Sequence, residues 1–257
     1  MPCPEGHGIF LFANEGRADG KAKMNWRQFE WISFDCYGTL IDWESGILGY
    51  LRPLLRAKGS DVPDTRLLNL YSEFEPREQS IDYRTYREVL AGVMRAYAEE
   101  LKLSLSATEA AGLADSIAGW KPFPDTVEAL RQLKSRYRLA ILSNIDDDLF
   151  ALTAKHLEVP FDLVVTAQQV QSYKPSLRNF QRLLEQIGVG RERLLHAAES
   201  LYHDVEPARE LGIATVWVNR RQGKPAAATK VAAVQPDVEV ANLAELAEVA
   251  VLPKSTD

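Results

Sequence analysis

The sequence predicts an α/β fold, a doubly wound parallel sheet into which one helical segment is inserted. Two observations carry that expectation. From Phe29 onward, short and continuously apolar runs alternate with segments of helical period, the pattern of strands buried on both faces and joined by crossover helices. Residues 45–120 then break the alternation, with helical stretches such as 83–101, many Arg, Tyr and Leu residues, and no convincing strand. A chain of 257 residues has room for one large α/β domain, or for a core and a smaller companion.

Taken in order, residues 1–27 are rich in Gly, Pro and small polar residues without a sustained period. They are read as a poorly ordered extension outside the fold, with Met24, just ahead of the ordered pattern, as the expected true start. Strands are expected at 31–34, 139–142, 163–165, 194–198 and 214–218. The helix over 175–187 sets Phe180, Leu183, Leu184 and Ile187 at i, i+3, i+4 and i+7 and stops at Gly188. The segment 205–211 stops in the same way at Gly212. A strand at 237–240 and a helix at 243–249 close the sheet edge. The expected organisation is an extension over 1–27, a core made of 28–44 and 121–252, and a helical cap over 45–120.

Composition narrows the function. The hydrophobic fraction of 46% supplies a full-sized core, and a net charge of -6 offers no basic field for nucleic acid or an anionic membrane. Cys3 and Cys36 form neither a CxxC pair nor a disulfide framework, as a reducing compartment tolerates. The apolar runs are strand-sized, short of the roughly 20 residues of a membrane span. The run over 9–13 is too short for a signal segment and follows no Lys or Arg. A cytoplasmic protein acting on a small molecule is expected, with a homodimer left open.

In a doubly wound sheet, ligands bind beyond the carboxyl ends of the strands. Those ends carry Asp35, then Ser143 with Asn144, then Glu199. The stretch Trp-Ile-Ser-Phe-Asp-Cys-Tyr-Gly-Thr-Leu (31–40) is the most informative, because an apolar strand runs straight into Asp35. Gly38 just beyond lets the turn bring backbone N–H groups near a substrate, and a carboxylate held there is free to attack. Taken alone, a capping Asp in an ordinary turn explains it equally well.

Four stretches in order remove that ambiguity: 31–40, Ile-Leu-Ser-Asn (141–144), Ser-Tyr-Lys-Pro (172–175) and Glu-Ser-Leu-Tyr-His-Asp (199–204). Together they resemble the four motifs of the haloacid dehalogenase-like hydrolases, over nearly everything from residue 29 to 250. Lys-Pro-Phe-Pro-Asp (121–125) resembles the return from the cap to the core. The resemblance implies a Rossmann-like core with Asp35 as covalent nucleophile and Lys174 offsetting its charge. Asp204 and Glu199 complete the catalytic set, and Tyr37, Thr39, Ser143 and Asn144 surround the substrate. No cofactor is required; Mg2+ is an option, held by Asp35 and Asp204.

The residues carry physical reasons of their own. Lys174 in one cleft with Asp35 and Asp204 favours the ionised nucleophile, although a surface Lys before a helix-starting Pro is the plainer alternative. Glu199 and Asp204 are placed to hold a divalent ion or orient water, against a solvated acidic loop. Asn144 and Asp146 can cap the next helix. The run Asp146, Asp147, Asp148 answers the helix dipole and receives no catalytic role. His7, His156, His196 and His203 show no ligand spacing, and His203 is expected to be a loop residue.

The superfamily's phosphatases carry a second Asp two residues after the nucleophile, where this chain has Tyr37, a phenol with reference pKa near 10. The sequence therefore leans to the branch resembling L-2-haloacid dehalogenases, in which the carboxylate displaces a group from C2 of a small carboxylic acid. That branch places Ser and Asn where Glu199 and Leu201 stand, and Tyr where Phe180 stands. Arg66 and Arg77 are the candidates for its halide-binding cap Arg. Phe-Asp-Cys-Tyr-Gly-Thr-Leu-Ile-Asp-Trp-Glu with Ala-Glu-Ser-Leu-Tyr-His-Asp most resembles L-azetidine-2-carboxylate hydrolases, whose leaving amine needs a proton that Tyr37 or Glu199 can supply. The rivals are a magnesium-dependent phosphatase acting on a small phosphate ester, and a catalytically silent binding module.

Overall fold

The computed structural model describes residues 24–80, 82–222 and 233–251. After a 3-10 turn at Trp26–Gln28, β1 (Trp31–Phe34) leads into four helices: α1 (Trp43–Ala57), α2 (Asp64–Gln79), α3 (Tyr86–Glu100) and α4 (Ala107–Ser116). The alternation resumes with α5 (Thr126–Lys134), β2 (Arg138–Ser143), α6 (Asp147–Leu157), β3 (Leu163–Thr166), α7 (Ala167–Val170) and α8 (Leu177–Ile187). It ends with β4 (Leu194–Ala198), α9 (Glu206–Glu210), β5 (Ala214–Val218), β6 (Val238–Val240) and α10 (Leu243–Val251). The expected α/β core with an inserted helical cap is the architecture observed. Most of the expected 1–27 extension lies outside the described residues. Met24 and Trp26 pack against the core, and the Tyr137 hydroxyl donates to the Trp26 carbonyl at 3.3 Å. Among the described residues no helix is long and apolar enough to cross a membrane.

Among the described residues the sheet has six strands, all parallel, in the order β3-β2-β1-β4-β5-β6. β1 is central and buried along its whole length, with Phe34 level with Ile141 of β2 and Ala197 of β4. The strand order reverses at β1, and the crevice at such a reversal is where doubly wound sheets bind ligands. Asp35 follows β1 directly and reaches that crevice with Ser143 and Glu199, the residues at or just past the ends of the two flanking strands.

The turn after β1 is fastened to the return from the cap. Asp42 N–H donates to the Lys121 carbonyl (2.9 Å), Phe123 N–H to the Leu40 carbonyl (3.1 Å), and Thr126 Oγ1 to the same carbonyl (2.9 Å). Arg220, after β5, donates to the Thr39 carbonyl (2.9 Å) and to Asp125 (2.8 Å) while stacking on Phe123. Gly38 takes φ +97°, and a Cβ there would press on the Trp43 indole nitrogen at 3.1 Å, so the turn calls for glycine.

The cap helices carry their own start signals. Capping boxes close α3 (Thr85 with Glu88) and α4 (Ser106 with Glu109). Asp146 departs from expectation. It stands at the start of α6, yet its side chain makes no capping bond there. Its carboxylate instead accepts the first N–H groups of α3, from Tyr86 (2.9 Å) and Arg87 (3.0 Å). The reason is local geometry: α3 begins against the sheet rim, and its first N–H groups, which have no partner within the helix, reach this carboxylate. Arg87 adds an ion pair to Asp148 at 2.7 Å, and Tyr173 Oη donates to the Arg84 carbonyl at 2.7 Å. Asp146 thus pins the cap to the core.

Replacing Asp146 with Ala strips two N–H donors of their partner in a buried place, at a cost of about 1–3 kcal/mol. The urea midpoint should fall with an unchanged slope, and Asp146→Asn should recover part of it because the amide oxygen still accepts. An unchanged midpoint in the Ala variant would show that α3 is held by its other contacts.

Candidate active site

Asp35 and Asp204 are 8% and 1% exposed, and Lys174 is 2% exposed. Charges buried so deeply must be paired. Lys174 Nζ donates to Asp35 Oδ1 (2.9 Å), to Asp204 Oδ1 (2.6 Å) and to the Leu142 carbonyl (2.9 Å), which spends all three of its hydrogens. Its backbone is held by Asn144, whose amide oxygen accepts Lys174 N–H (2.7 Å) and whose Nδ2 donates to the Lys174 carbonyl (3.1 Å). Thr39 Oγ1 donates to the other Asp35 oxygen (3.0 Å) and accepts Glu199 N–H (2.9 Å). The segments after β1, β2, β3 and β4 are thereby tied at one point.

The charge balance follows. Burial pushes Asp35 above the usual carboxylate range; Lys174 opposes that shift and Asp204 adds to it. Burial would raise Asp204 too, but the Lys174 charge and the His196 hydrogen bond outweigh it, and Asp204 lies below its ordinary value. For Lys174 burial acts downward and the two carboxylates overcome it, so the ammonium is held charged. Asp35 is therefore a poorly solvated carboxylate beside a fixed cation, a reactive arrangement for a nucleophile. Asp35 and Asp204 are the pair expected to hold Mg2+. The Lys174 ammonium bridges them. Among the described residues no cluster of three or more His, Cys, Asp or Glu is placed to hold a metal.

The three face a cavity of about 60 Å3, room for roughly four water-sized groups at 10–15 Å3 each. Ser143 lines it with a buried hydroxyl that has no hydrogen-bond partner, a donor left for a ligand. Glu199 lines it as well. Burial first, then the charges of Asp35 and Asp204, raise its carboxyl to about 7. Trp217 Nε1 fixes its carbonyl at 2.7 Å. Tyr37 lines the cavity too, with its phenol engaged elsewhere. The phenol is 2.8 Å from Thr153 Oγ1, and Thr153 gives its own hydrogen to Leu149, so the phenol is the donor and its proton is committed. Burial also pushes the phenol well above its ordinary pKa.

The eight expected residues are thus brought together, in two layers. Asp35, Tyr37, Ser143, Asn144, Lys174, Glu199 and Asp204 line the cavity, whereas Thr39 is fully buried beneath Asp35 and acts on it as a positioning group. Arg66 pairs with Glu100 and Arg77 lies over Phe74, and neither lines the cavity. His203, expected to be a loop residue, sits in a π-helical turn (Leu201–Val205) and does line it. Sequence reasoning missed the wall supplied by the cap, Trp43, Glu75 and Tyr86. It also missed the chain beneath Asp204, where His196 Nε2–H donates to Asp204 Oδ1 (3.0 Å) and Ser33 Oγ holds Nδ1 (2.8 Å). The polar Ser33 and His196 inside otherwise apolar strands were the available signal.

A carboxylate at the switch point of a parallel sheet, clamped by a lysine and roofed by a helical cap, is the arrangement expected of a class of hydrolases. The family model of the haloacid dehalogenase-like hydrolases matches residues 29–212, and the chain belongs to that family. It is 28% identical to an (S)-2-haloacid dehalogenase of Pseudomonas sp. (strain YL) over 192 residues, 74% of this chain and 82% of that one. It is 27% identical to haloacetate dehalogenase H-2 of Moraxella sp. (strain B) over 197 residues, 76% and 87% of the two chains. The L-2-haloacid dehalogenase of Xanthobacter autotrophicus shares the fold with a TM-score of 0.74 at 19% identity, covering 86% of this chain and 98% of that one.

Lys174→Met leaves Asp35 and Asp204 buried without a cation, which costs about 3–5 kcal/mol at neutral pH. Without the ammonium both native carboxyls bind protons more tightly than in the unfolded chain. Stability should therefore be regained as pH falls from about 7 towards 5, where the native state takes up those protons. Thermal unfolding across that range checks the sign. A deficit that does not shrink on acidification would mean that the loss is one of packing.

Proposed function

We propose that the enzyme displaces a leaving group from C2 of a small carboxylic acid by attack of Asp35, and that water hydrolyses the resulting ester. The observation that carries this reading is the lysine-held Asp35 facing the unpartnered Ser143 hydroxyl across one small cavity. Ser143 is placed to grip the substrate carboxylate, which turns C2 toward the nucleophile. The relatives named (S)-2-haloacid dehalogenase act on acids of this class. A phosphatase would need a returning acid and base two residues after Asp35, and the Tyr37 proton is committed to Thr153.

The leaving group that suits this wall is a strained amine rather than a halide. A departing halide needs cationic donors, and here the hydrogens of Lys174 are all spent while the carboxyls of Glu75 and Glu199 line the same cavity. A ring nitrogen that departs from its ammonium form leaves as a basic amine, which takes up a proton, and Glu199, with its pKa raised to about 7, can hold one at neutral pH. The resemblance to L-azetidine-2-carboxylate hydrolases supplies a ring of the right kind. An Asp35 oxygen bonds to C2, the C2–N pair stays on nitrogen, and Glu199 protonates it. Water then attacks the Asp35 carboxyl carbon, returning a proton to Glu199, and a 2-hydroxy acid with a free amino group leaves. Lys174 offsets the negative charge that gathers on the Asp35 oxygens.

Single turnover of L-azetidine-2-carboxylate in labelled water should place the label in the Asp35 carboxyl, with a chelator present. Asp35→Asn should abolish turnover. Glu199 acts protonated, so kcat should fall as pH rises through about 7, and Glu199→Gln should remove that limb and about 100-fold of the rate. Efficient hydrolysis of phosphate monoesters, lost with chelator, would replace this reading by the magnesium-dependent phosphatase.

A further inference from the structure

The geometry points to Glu75 as the specificity residue of this site, a cap carboxyl that pairs with a protonated nitrogen of the substrate. Small amino and imino acids are then bound in preference to acids of the same shape without nitrogen. The inference rests on the C2-displacement reading and names what that site selects.

The placement of Glu75 is unusual for its helix. On α2 the residues Leu67, Leu68, Leu70, Tyr71 and Phe74 are buried. Glu75 falls four residues after Tyr71 and seven after Leu68, on the apolar stripe where packing alone calls for Leu. It lines the same cavity as Asp35, Ser143 and Lys174. Its Oε1 is held by the amide of Gln79 and by Tyr86 Oη at 3.3 Å, and Tyr86 Oη lies 3.0 Å from Tyr71 Oη. Its partners are thus an amide and a phenol rather than a cation, and both fall on one oxygen. Burial raises the carboxyl to about 7, the mark of a charge without its counter-ion.

The rest of the cavity agrees. Asp35, Glu75, Glu199 and Asp204 face it; Lys174 is shared between Asp35 and Asp204, and Arg221 approaches Glu199 at 3.9 Å, which leaves Glu75 as the carboxyl of the four without a cation beside it among the described residues. A substrate bearing only a carboxylate leaves Glu75 without a counter-ion, whereas a zwitterion brings the positive charge that it lacks. Trp43 and Tyr86 complete the cap side of the wall, and aromatic faces are good neighbours for an ammonium. The plainer alternative is that Glu75 merely accepts the Tyr86 hydroxyl. Glu75→Gln separates the two roles, since the amide oxygen still accepts while the charge is gone.

Binding is measured by calorimetry in the Asp35→Asn enzyme, which cannot turn over. The ligands are L-azetidine-2-carboxylate and cyclobutanecarboxylate, rings of equal size that differ in the nitrogen. The azetidine should bind roughly ten-fold or more tighter, and adding Glu75→Gln should erase that preference while cyclobutanecarboxylate binds as well as before. A preference that survives Glu75→Gln, or equal binding of both acids before it, overturns the assignment of Glu75 and leaves the C2 reading standing. Binding of neither acid removes both. Equal thermal unfolding of the two variants excludes a folding defect as the cause of any change.

Discussion

The structure depends on one ammonium between two buried carboxylates. Lys174 has its whole charge desolvated, and its three hydrogens go to Asp35, Asp204 and the Leu142 carbonyl. Such an arrangement is costly to form and costlier to break, because any missing partner leaves a bare charge in a low-dielectric interior. Every neighbour is disposed to prevent that. Asn144 fixes the Lys174 backbone, Thr39 takes the second Asp35 oxygen, and Ser33 with His196 steadies Asp204. Strand order makes this possible. β1 lies between β2 and β4, so the turns that follow three adjacent strands open at the same point.

The cap completes the electrostatics. Its helices carry Trp43, Glu75 and Tyr86 to the cavity, and the position of Tyr86 is set by Asp146 on the core side, which receives the first N–H groups of α3. A residue that looks like an ordinary helix cap along the chain is therefore what aligns two parts of the molecule in space. The Tyr86 hydroxyl then restrains Glu75, so a core carboxylate and a cap carboxyl are linked through one tyrosine. Water exclusion and charge placement depend on the same docking contact.

The sheet was legible from sequence because buried parallel strands are continuously apolar and short, and each of the six expected strands overlaps an observed one. Asp35, Ser143, Lys174 and Asp204 were legible because four motifs fall in order at strand ends. What escaped was whatever depends on partners far away along the chain. Thr39 looked like a substrate contact and proves to be a strut between Asp35 and Glu199, 160 residues apart from the latter. Asn144 looked free to bind substrate, but it lines the cavity with its amide engaged on Lys174. Glu75 was hidden by its surroundings, since a single carboxyl among the charged residues of α2 does not stand out until the helical face is known.

Tyr37 and Glu199 are best understood together. A carboxyl two residues past the nucleophile would share a turn with Asp35, and like charges that close disfavour joint ionisation. With a phenol there, tied to Thr153, the turn carries no second charge and Asp35 answers to Lys174 and Asp204. The proton-transfer role is then open to a group on the opposite strand. Glu199 occupies that position, its backbone fixed by Thr39 and Trp217 and its carboxyl raised by burial and by the two aspartates. In the proposed reaction the acid and the nucleophile thus come from adjacent strands. The charge of Asp35 helps to keep Glu199 protonated until the attack consumes it. Once the ester forms, that charge is gone and Glu199 loses its proton more readily, at the moment the departing nitrogen requires one.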